Sequence, residues 1–194
     1  MGERKTLRGR FVTAKAARRE LRELGIIKGH FKGLVRPGVR GDPGALVAGV
    51  DPSSQGHCVT FMVSSPLVPQ YYSLQVDNDT SSYASLYRRL AELPVNDHTV
   101  FIEDAYLGRN PKSLITAVTA RAKLQVIFEL AGWKVVMVKP SSWQSPILKQ
   151  GWGAHRPELK GAAKWLTKLL TGESPKSDMC DSFCICIYGR GRNS

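Results

Sequence analysis

Long apolar runs are missing from this sequence of 194 residues. No stretch approaches the roughly 18 consecutive apolar residues that a membrane-spanning helix requires, and the N-terminal segment lacks the apolar core of a secretory signal. We therefore expect no membrane partner and a reducing, cytoplasmic compartment, or the host cell cytosol if the protein is viral. An organellar location is less favoured, because Glu3, Glu20 and Glu23 make this segment richer in acids than transit peptides are.

Side chains with sulfur or imidazole ligands are few and poorly spaced for a metal site. The cysteines are Cys58, Cys180, Cys184 and Cys186. They contain no Cys-x-x-Cys pair, and three of them share one apolar segment, so the sequence predicts buried, reduced thiols and not a zinc site or a disulfide framework. His57, His98 and His155 are scattered along the chain, and we expect packing or surface roles for them.

Acidic residues are scarce as well. The chain has 16 Asp and Glu against 28 Lys and Arg, a formal net charge of +12, which favours nucleic acid or another acidic surface as partner. Residues 1–42 hold 12 of the basic side chains and 4 of the acidic ones. We interpret residues 1–44 as a basic arm and linker with a short helix at Lys15–Leu24. Whether the arm binds phosphates or only keeps the chain soluble stays open at this point.

From residue 45 onward, apolar runs and turn residues alternate in a pattern typical of one α/β domain, which we place at residues 45–190. Strands are predicted at residues 45–51, His57–Val63, Gln70–Val76, His98–Ile102 and Trp133–Val138. Helices are predicted at about Ser81–Leu93, from Pro111 to Leu130, from Pro157 to Gly172 and at Ser177–Tyr188. Three antiparallel strands followed by crossover units predict a five-stranded mixed sheet flanked by helices, as in the ribonuclease H-like fold.

Two of the predicted helices carry stripes that indicate how they pack. In the helix from Pro111, we expect an inner apolar stripe made of Ile115, Val118, Ala122, Val126 and Leu130. Apolar residues beyond that stripe favour a second, intermolecular contact, and they are Leu114, Leu124, Ile127 and Phe128. In the helix from Pro157, we expect Lys160, Lys164 and Lys168 to share a solvated outer face.

Four carboxylates occupy positions suited to a metal centre. Asp51 and Glu103 end two strands that should be parallel neighbours, and Asp178 and Asp181 lie three residues apart at the start of the last helix. Convergent carboxylates bind Mg²⁺, and Mn²⁺ in its place, without His or Cys ligands. Two such ions can activate a water and neutralise charge at a phosphodiester. The alternative is that Asp51 initiates a turn and the helical pair only favours the helix dipole.

These residues stand in motifs that resemble those of the RuvC-type Holliday junction resolvases. The first is Gly49-Val50-Asp51-Pro52-Ser53-Ser54. The second is Ile102-Glu103-Asp104-Ala105-Tyr106, followed by Arg109-Asn110, Ser113 and Ala120-Arg121. The third is Ser177-Asp178-Met179-Cys180-Asp181-Ser182. The likeness covers most of residues 46–188, whereas residues 143–156 resemble the family only loosely and the basic arm is not part of its usual core.

The resemblance implies a homodimeric endonuclease that makes paired nicks in a four-way DNA junction. Asp51, Glu103, Asp178 and Asp181 would then be catalytic ligands of two Mg²⁺ ions, with no small-molecule cofactor. Tyr106 matches the aromatic residue that wedges into the junction, and an aromatic ring can stack on an unpaired base. The remaining candidates for DNA contact are Arg109, Arg121, Lys149, Lys160 and Lys164.

Two other functions fit the same sequence. A nuclease of this fold could act on structured RNA or on other branched DNA, because sheet topology does not fix the substrate. A non-catalytic nucleic-acid-binding protein could use the basic arm, with the acids serving only turns and helix ends. A sugar-kinase-like ATPase shares the Gly-x-Asp strand end, but it usually needs a second large domain that this length excludes.

Overall fold

Five strands form one mixed sheet in the order β3-β2-β1-β4-β5. The computed structural model describes residues 45–53, 56–63, 70–93, 97–105, 111–148 and 156–192. The strands are β1 at Leu46–Asp51, β2 at His57–Val63, β3 at Gln70–Val76, β4 at Thr99–Glu103 and β5 at Lys134–Val138. The basic arm of residues 1–44, with the helix predicted there, lies outside the described residues, so the domain boundary stays a prediction.

Strand pairing follows the predicted topology. β1 and β2 pair antiparallel, as do β2 and β3, whereas β4 pairs parallel with both β1 and β5. The predicted α/β fold, a ribonuclease H-like mixed sheet with three antiparallel strands and two parallel additions, is therefore confirmed. The carboxyl ends of β1 and β4 lie side by side, because Val50 is in register with Ile102.

Five helices belong to the described part of the chain. They are α1 at Thr80–Ala91, α2 at Pro111–Leu130, α3 at Pro140–Leu148, α4 at Arg156–Thr171 and α5 at Ser177–Arg192. None of them is long and apolar enough to cross a membrane. Helix α3 was not predicted from the sequence, since its interior contains Pro146 and several serines of low helix propensity.

Alternation along the strands divides the core into two layers. In β1, Ala48 and Val50 face the layer that contains buried residues of α1 and α2, whereas Val47 faces the layer of α3, α4 and α5. In β4, Phe101 likewise belongs to the α5 layer and Ile102 to the α2 layer. Side chains two residues further along a strand return to the same face. The α5 face is therefore the one toward which Asp51 and Glu103 emerge.

Helix α2 packs with the opposite face from the one predicted. Its residues Ala120, Leu124 and Phe128 are buried, whereas the stripe expected to lie inward is exposed at Ile115 (66%) and Leu130 (70%). The error arose because α2 has apolar residues on more than one side, so periodicity alone could not choose between the faces. The large side chain of Phe128 determines which face packs inward, because it fills the core beside Trp133, with 5.3 Å between the ring centroids.

Helix α5 crosses β1 at Gly49 with almost no space between the two backbones. A Cβ atom added at Gly49 would lie 2.7 Å from the Cys186 Cα and would also overlap the Ser182 carbonyl oxygen. Beside this crossing, the Ser182 hydroxyl lies 2.8 Å from that of Thr60, which is in register with Gly49. The missing side chain and the buried hydroxyl contact together fix where α5 sits along the sheet.

We predict that Gly49→Ala lowers the free energy of unfolding by roughly 1 to 3 kcal/mol or more, because the added methyl group forces the two backbones apart. The matched control is Gly161→Ala in α4, where an added Cβ meets no described atom within 4 Å. That change should raise stability by about 0.5 to 1 kcal/mol, since glycine is unfavourable inside a helix. Urea denaturation measures both variants, and equal effects of the same sign would contradict the prediction.

Candidate metal centre

Three carboxylates meet where β1 ends beneath the first turns of α5. Asp51 is the last residue of β1, and Asp178 and Asp181 lie one turn apart near the start of α5. One carboxylate oxygen from each lies within 4.8 Å of the others, and all three side chains are partly buried. An oxygen-only cluster of this size suits a hard divalent cation such as Mg²⁺ or Mn²⁺.

Glu103 stands beside this cluster at the end of β4. It lies outside the group of three whose oxygens approach within 4.8 Å. Its charge nevertheless raises the pKa of Asp51 more than that of Asp178 or Asp181 does. The structure therefore brings all four predicted acids to one end of the sheet, with Glu103 at the side of the cluster formed by the other three.

The close approach of these carboxylates makes it harder for Asp51 to ionise. The pKa of Asp51 is raised well above 3.8, first by burial and then by the negative charges of Glu103, Asp181 and Asp178. The Lys160 ammonium acts in the other direction. Several carboxylates that share one partly buried space are characteristic of sites that bind a cation or perform chemistry.

Lys160 lies closer to this site than the sequence predicted. Its Nζ donates a hydrogen bond to the Asp178 Oδ1 at 3.3 Å, and its side chain is 35% exposed, whereas Lys164 one turn later is exposed. Lys160 therefore does not belong to a uniform solvated stripe. Lys164 remains a surface cation available to a phosphate.

The other predicted DNA contacts have different outcomes. Tyr106, Arg109 and Lys149 lie outside the described residues. Arg121 is partly buried and forms an ion pair with Asp104, the residue after Glu103. The Arg121 guanidinium therefore already has an intramolecular partner, and a DNA contact by Arg121 stays a prediction.

Lys176 is a basic residue near the site that the sequence reasoning missed. It is exposed, and its charge opposes the rise in the pKa of the Cys58 thiol. Cys58 is in register with Asp51 across β1 and β2. The sequence offered only a single lysine in a short loop, and the signal lay in its spacing of two residues from Asp178.

A hydrogen-bonded chain through His57 anchors the segment that follows Asp51. The Ser53 backbone N–H donates to His57 Nδ1 at 3.2 Å, which leaves the proton on Nε2, and this nitrogen lies 2.5 Å from the Tyr83 hydroxyl. Tyr83 in turn donates to Asn78 Oδ1 at 2.7 Å. The prediction of a packing role for His57 agrees with this arrangement, because its ring is fully buried.

Comparison with solved structures finds the same architecture in known proteins. The RuvC of Thermus thermophilus in complex with a Holliday junction substrate superposes with a TM-score of 0.58 and 15% identity, over 76% of this chain and 94% of that one. A second Thermus thermophilus RuvC structure gives a TM-score of 0.57 and 16% identity, over 76% and 95%. The chain has the RuvC fold.

The sequence is far from that of RuvC despite the common fold. A fowlpox virus Holliday junction resolvase also matches, with a TM-score of 0.45 and 14% identity, over 72% of this chain and 93% of that one. Comparison with protein-family models and with curated proteins finds no match. Nearly the whole length of RuvC thus has a structural counterpart in this chain, although few residues are identical.

The buried His57 predicts how stability depends on pH. Burial lowers its pKa from 6.5 to about 4, so between these values the unfolded chain binds a proton that the native protein does not. The free energy of unfolding should therefore fall as the pH falls from about 6.5 to 4. In His57→Gln this part of the fall should disappear, while stability at pH 7 decreases. Urea denaturation across this range tests the prediction, and parallel curves for the two proteins would contradict it.

Proposed function

We propose that the protein is a metal-dependent, structure-selective endodeoxyribonuclease that resolves four-way DNA junctions by paired nicks. The observation that carries this proposal is the convergence of Asp51, Asp178 and Asp181 within 4.8 Å, with Glu103 beside them, at one end of a RuvC-type sheet. The formal net charge of +12 supports a polyanionic substrate. An acidic cluster in so basic a chain is suited to holding cations against phosphate.

The carboxylates have distinct tasks in this proposal. Asp51, Glu103 and the pair Asp178 and Asp181 would together hold two Mg²⁺ or Mn²⁺ ions, with Asp51 as the shared ligand. When bound, such ions supply an activated water and relief of the charge that develops at phosphorus. The elevated pKa of Asp51 supports this assignment, because a cation would offset both the burial and the neighbouring negative charges that raise it.

Basic side chains around the site would hold the DNA backbone. Lys164 on α4 and Lys176, the residue before α5, are exposed, and Lys160 would be able to turn from Asp178 to a phosphate if a cation occupied the site. Tyr106 would stack at the crossover, with Arg109 and Lys149 as further contacts. The basic arm would add phosphate contacts that do not depend on sequence.

We predict that Asp51→Asn abolishes cutting of a mobile four-way junction. Loss of an outer-shell partner alone costs about 10- to 100-fold in metal-site activity, so loss of the central ligand should cost at least about 100-fold. Nicking is measured on the junction, on duplex DNA and on structured RNA, each with Mg²⁺, with Mn²⁺ and with a chelator. The control is Asp97→Asn, which removes an exposed acid from the opposite end of β4.

Each outcome of this experiment separates the candidate functions. Metal-dependent paired nicking confined to the junction supports the proposal, with junction binding by Asp51→Asn unchanged or tighter because a negative charge is removed. Preferential cutting of RNA would assign the same site to another substrate. Binding without cutting of any substrate would leave a non-catalytic nucleic-acid-binding protein, and full activity of Asp51→Asn would refute the assigned site.

Paired nicks require two active sites, and we propose that helix α2 supplies the homodimer contact. The expected surface is corrected here: Leu124 and Phe128 are buried in the core and cannot serve it. The exposed stripe of α2 can instead, and it consists of Ile115, Val118, Ala122, Val126 and Leu130. A contiguous exposed apolar stripe on one helix suits a second copy related by a two-fold axis, matching the symmetry of the junction.

We predict that Val126→Lys makes the protein monomeric at micromolar concentration, because it places a charge in the middle of this stripe, where Val126 is 51% exposed. Sedimentation velocity measures the mass. Tyr87→Lys on α1 is the control, since Tyr87 is also exposed, at 41%, but lies on another helix. A wild-type protein that is itself monomeric, or a Val126→Lys protein that remains dimeric, would remove α2 as the interface.

A further inference from the structure

An ion pair outside the carboxylate cluster ties the end of β4 to helix α2. The Arg121 Nη1 donates a hydrogen bond to the Asp104 Oδ1, and the two side chains are only 26% and 33% exposed. Because both side chains are partly shielded, salt screens their attraction less than it would screen a fully exposed ion pair. Asp104 directly follows Glu103, so the pair lies next to the proposed site without being part of it.

Asp104 fixes the direction in which the chain leaves the sheet. Its backbone N–H donates to the Val138 carbonyl at 2.8 Å, which extends the pairing of β4 with β5 by one residue beyond Glu103. Its Oδ1 also accepts a hydrogen bond from the Ala105 N–H at 2.9 Å. Asp104 therefore connects three groups: it bonds to β5 through its backbone N–H, and to Ala105 and Arg121 through its carboxylate.

Arg121 reaches this point from a rigid support. Its neighbour Ala120 and the next-turn residue Leu124 are buried, and they hold α2 against the sheet. The same helix presents the exposed apolar stripe on its other side. A displacement of α2 would therefore also move the end of β4, because the ion pair of Arg121 with Asp104 joins the two.

We propose that Asp104 and Arg121 form a positioning pair that holds Glu103 at the metal centre and links it to helix α2. This inference rests on the proposed function. Glu103 is the acid that lies outside the close group of three, and it is the last residue of β4, so the end of that strand helps to set its position. In this proposal Arg121 acts through Glu103 and does not contact DNA.

A double-mutant cycle tests the pair. Asp104→Asn, Arg121→Gln and the combined variant are compared by the single-turnover rate of junction cutting and by the Mn²⁺ concentration that gives half the maximal rate. We expect each single change to lower the rate by about 10- to 100-fold, as misplacement of a catalytic group does, and to raise the Mn²⁺ requirement. The combined variant should be no worse than the more affected single variant, because the two residues act as a unit.

Binding measurements distinguish positioning from DNA contact. Junction affinity in chelator should be unchanged in Arg121→Gln, as in the control Arg89→Gln, which removes an equal charge from the exposed end of α1. If Arg121 contacted a phosphate, its loss would weaken binding and reduce the salt dependence by about one charge. That result, or additive effects in the cycle, would overturn the proposal.

Two further controls keep the test decisive. Thermal unfolding shows whether each variant is folded, and where Arg121→Gln is not, Arg121→Lys takes its place, since it keeps the charge and should recover part of the rate. If the wild-type protein cuts no substrate, the proposed function has failed, and the pair is judged by Mn²⁺ binding in a calorimeter. A non-additive loss of Mn²⁺ affinity in the cycle would then support the pair, and unchanged affinity would overturn it.

Discussion

The close approach of α5 to β1 at Gly49 is the contact on which the site depends. Because no side chain separates the two backbones, Asp178 and Asp181 descend far enough to meet the carboxylate of Asp51, two residues further along the strand. Any larger residue at Gly49 would lift the helix and spread the acids. The hydroxyl contact of Ser182 with Thr60 then sets the position of α5 along the strand. Packing and chemistry are thus specified by the same few residues.

The carboxylates of the site stay close together although their negative charges repel one another. Burial and three neighbouring acids oppose the ionisation of Asp51, and the hydrogen bond from Lys160 to Asp178 compensates only in part. The surrounding fold sustains this arrangement through two apolar layers, one on each side of the sheet. A concentration of acids in a partly buried space is characteristic of sites that bind a cation.

Strands and strand-end acids could be predicted because their signals are local: each strand is a short apolar run bounded by turn residues, and Asp51 and Glu103 stand at the ends of two such runs. The face of α2 could not, since both of its sides are apolar and only the volume of Phe128 beside Trp133 decides between them. Nor could the ion pair of Arg121 with Asp104 or the contact of Lys160 with Asp178 be predicted, because each joins residues from two elements. Helix α3 could not be predicted, because Pro146 in its interior is unfavourable in a helix.

The four cysteines have a practical consequence for work on this protein. All are buried, and burial raises the pKa of each thiol, to about 12 for Cys58. Thiols that are neither exposed nor ionised react slowly with alkylating reagents. The native cysteines should therefore not interfere with site-directed labelling. A cysteine introduced at an exposed position such as Tyr87 would react with a fluorophore or spin label while the native four stay unmodified.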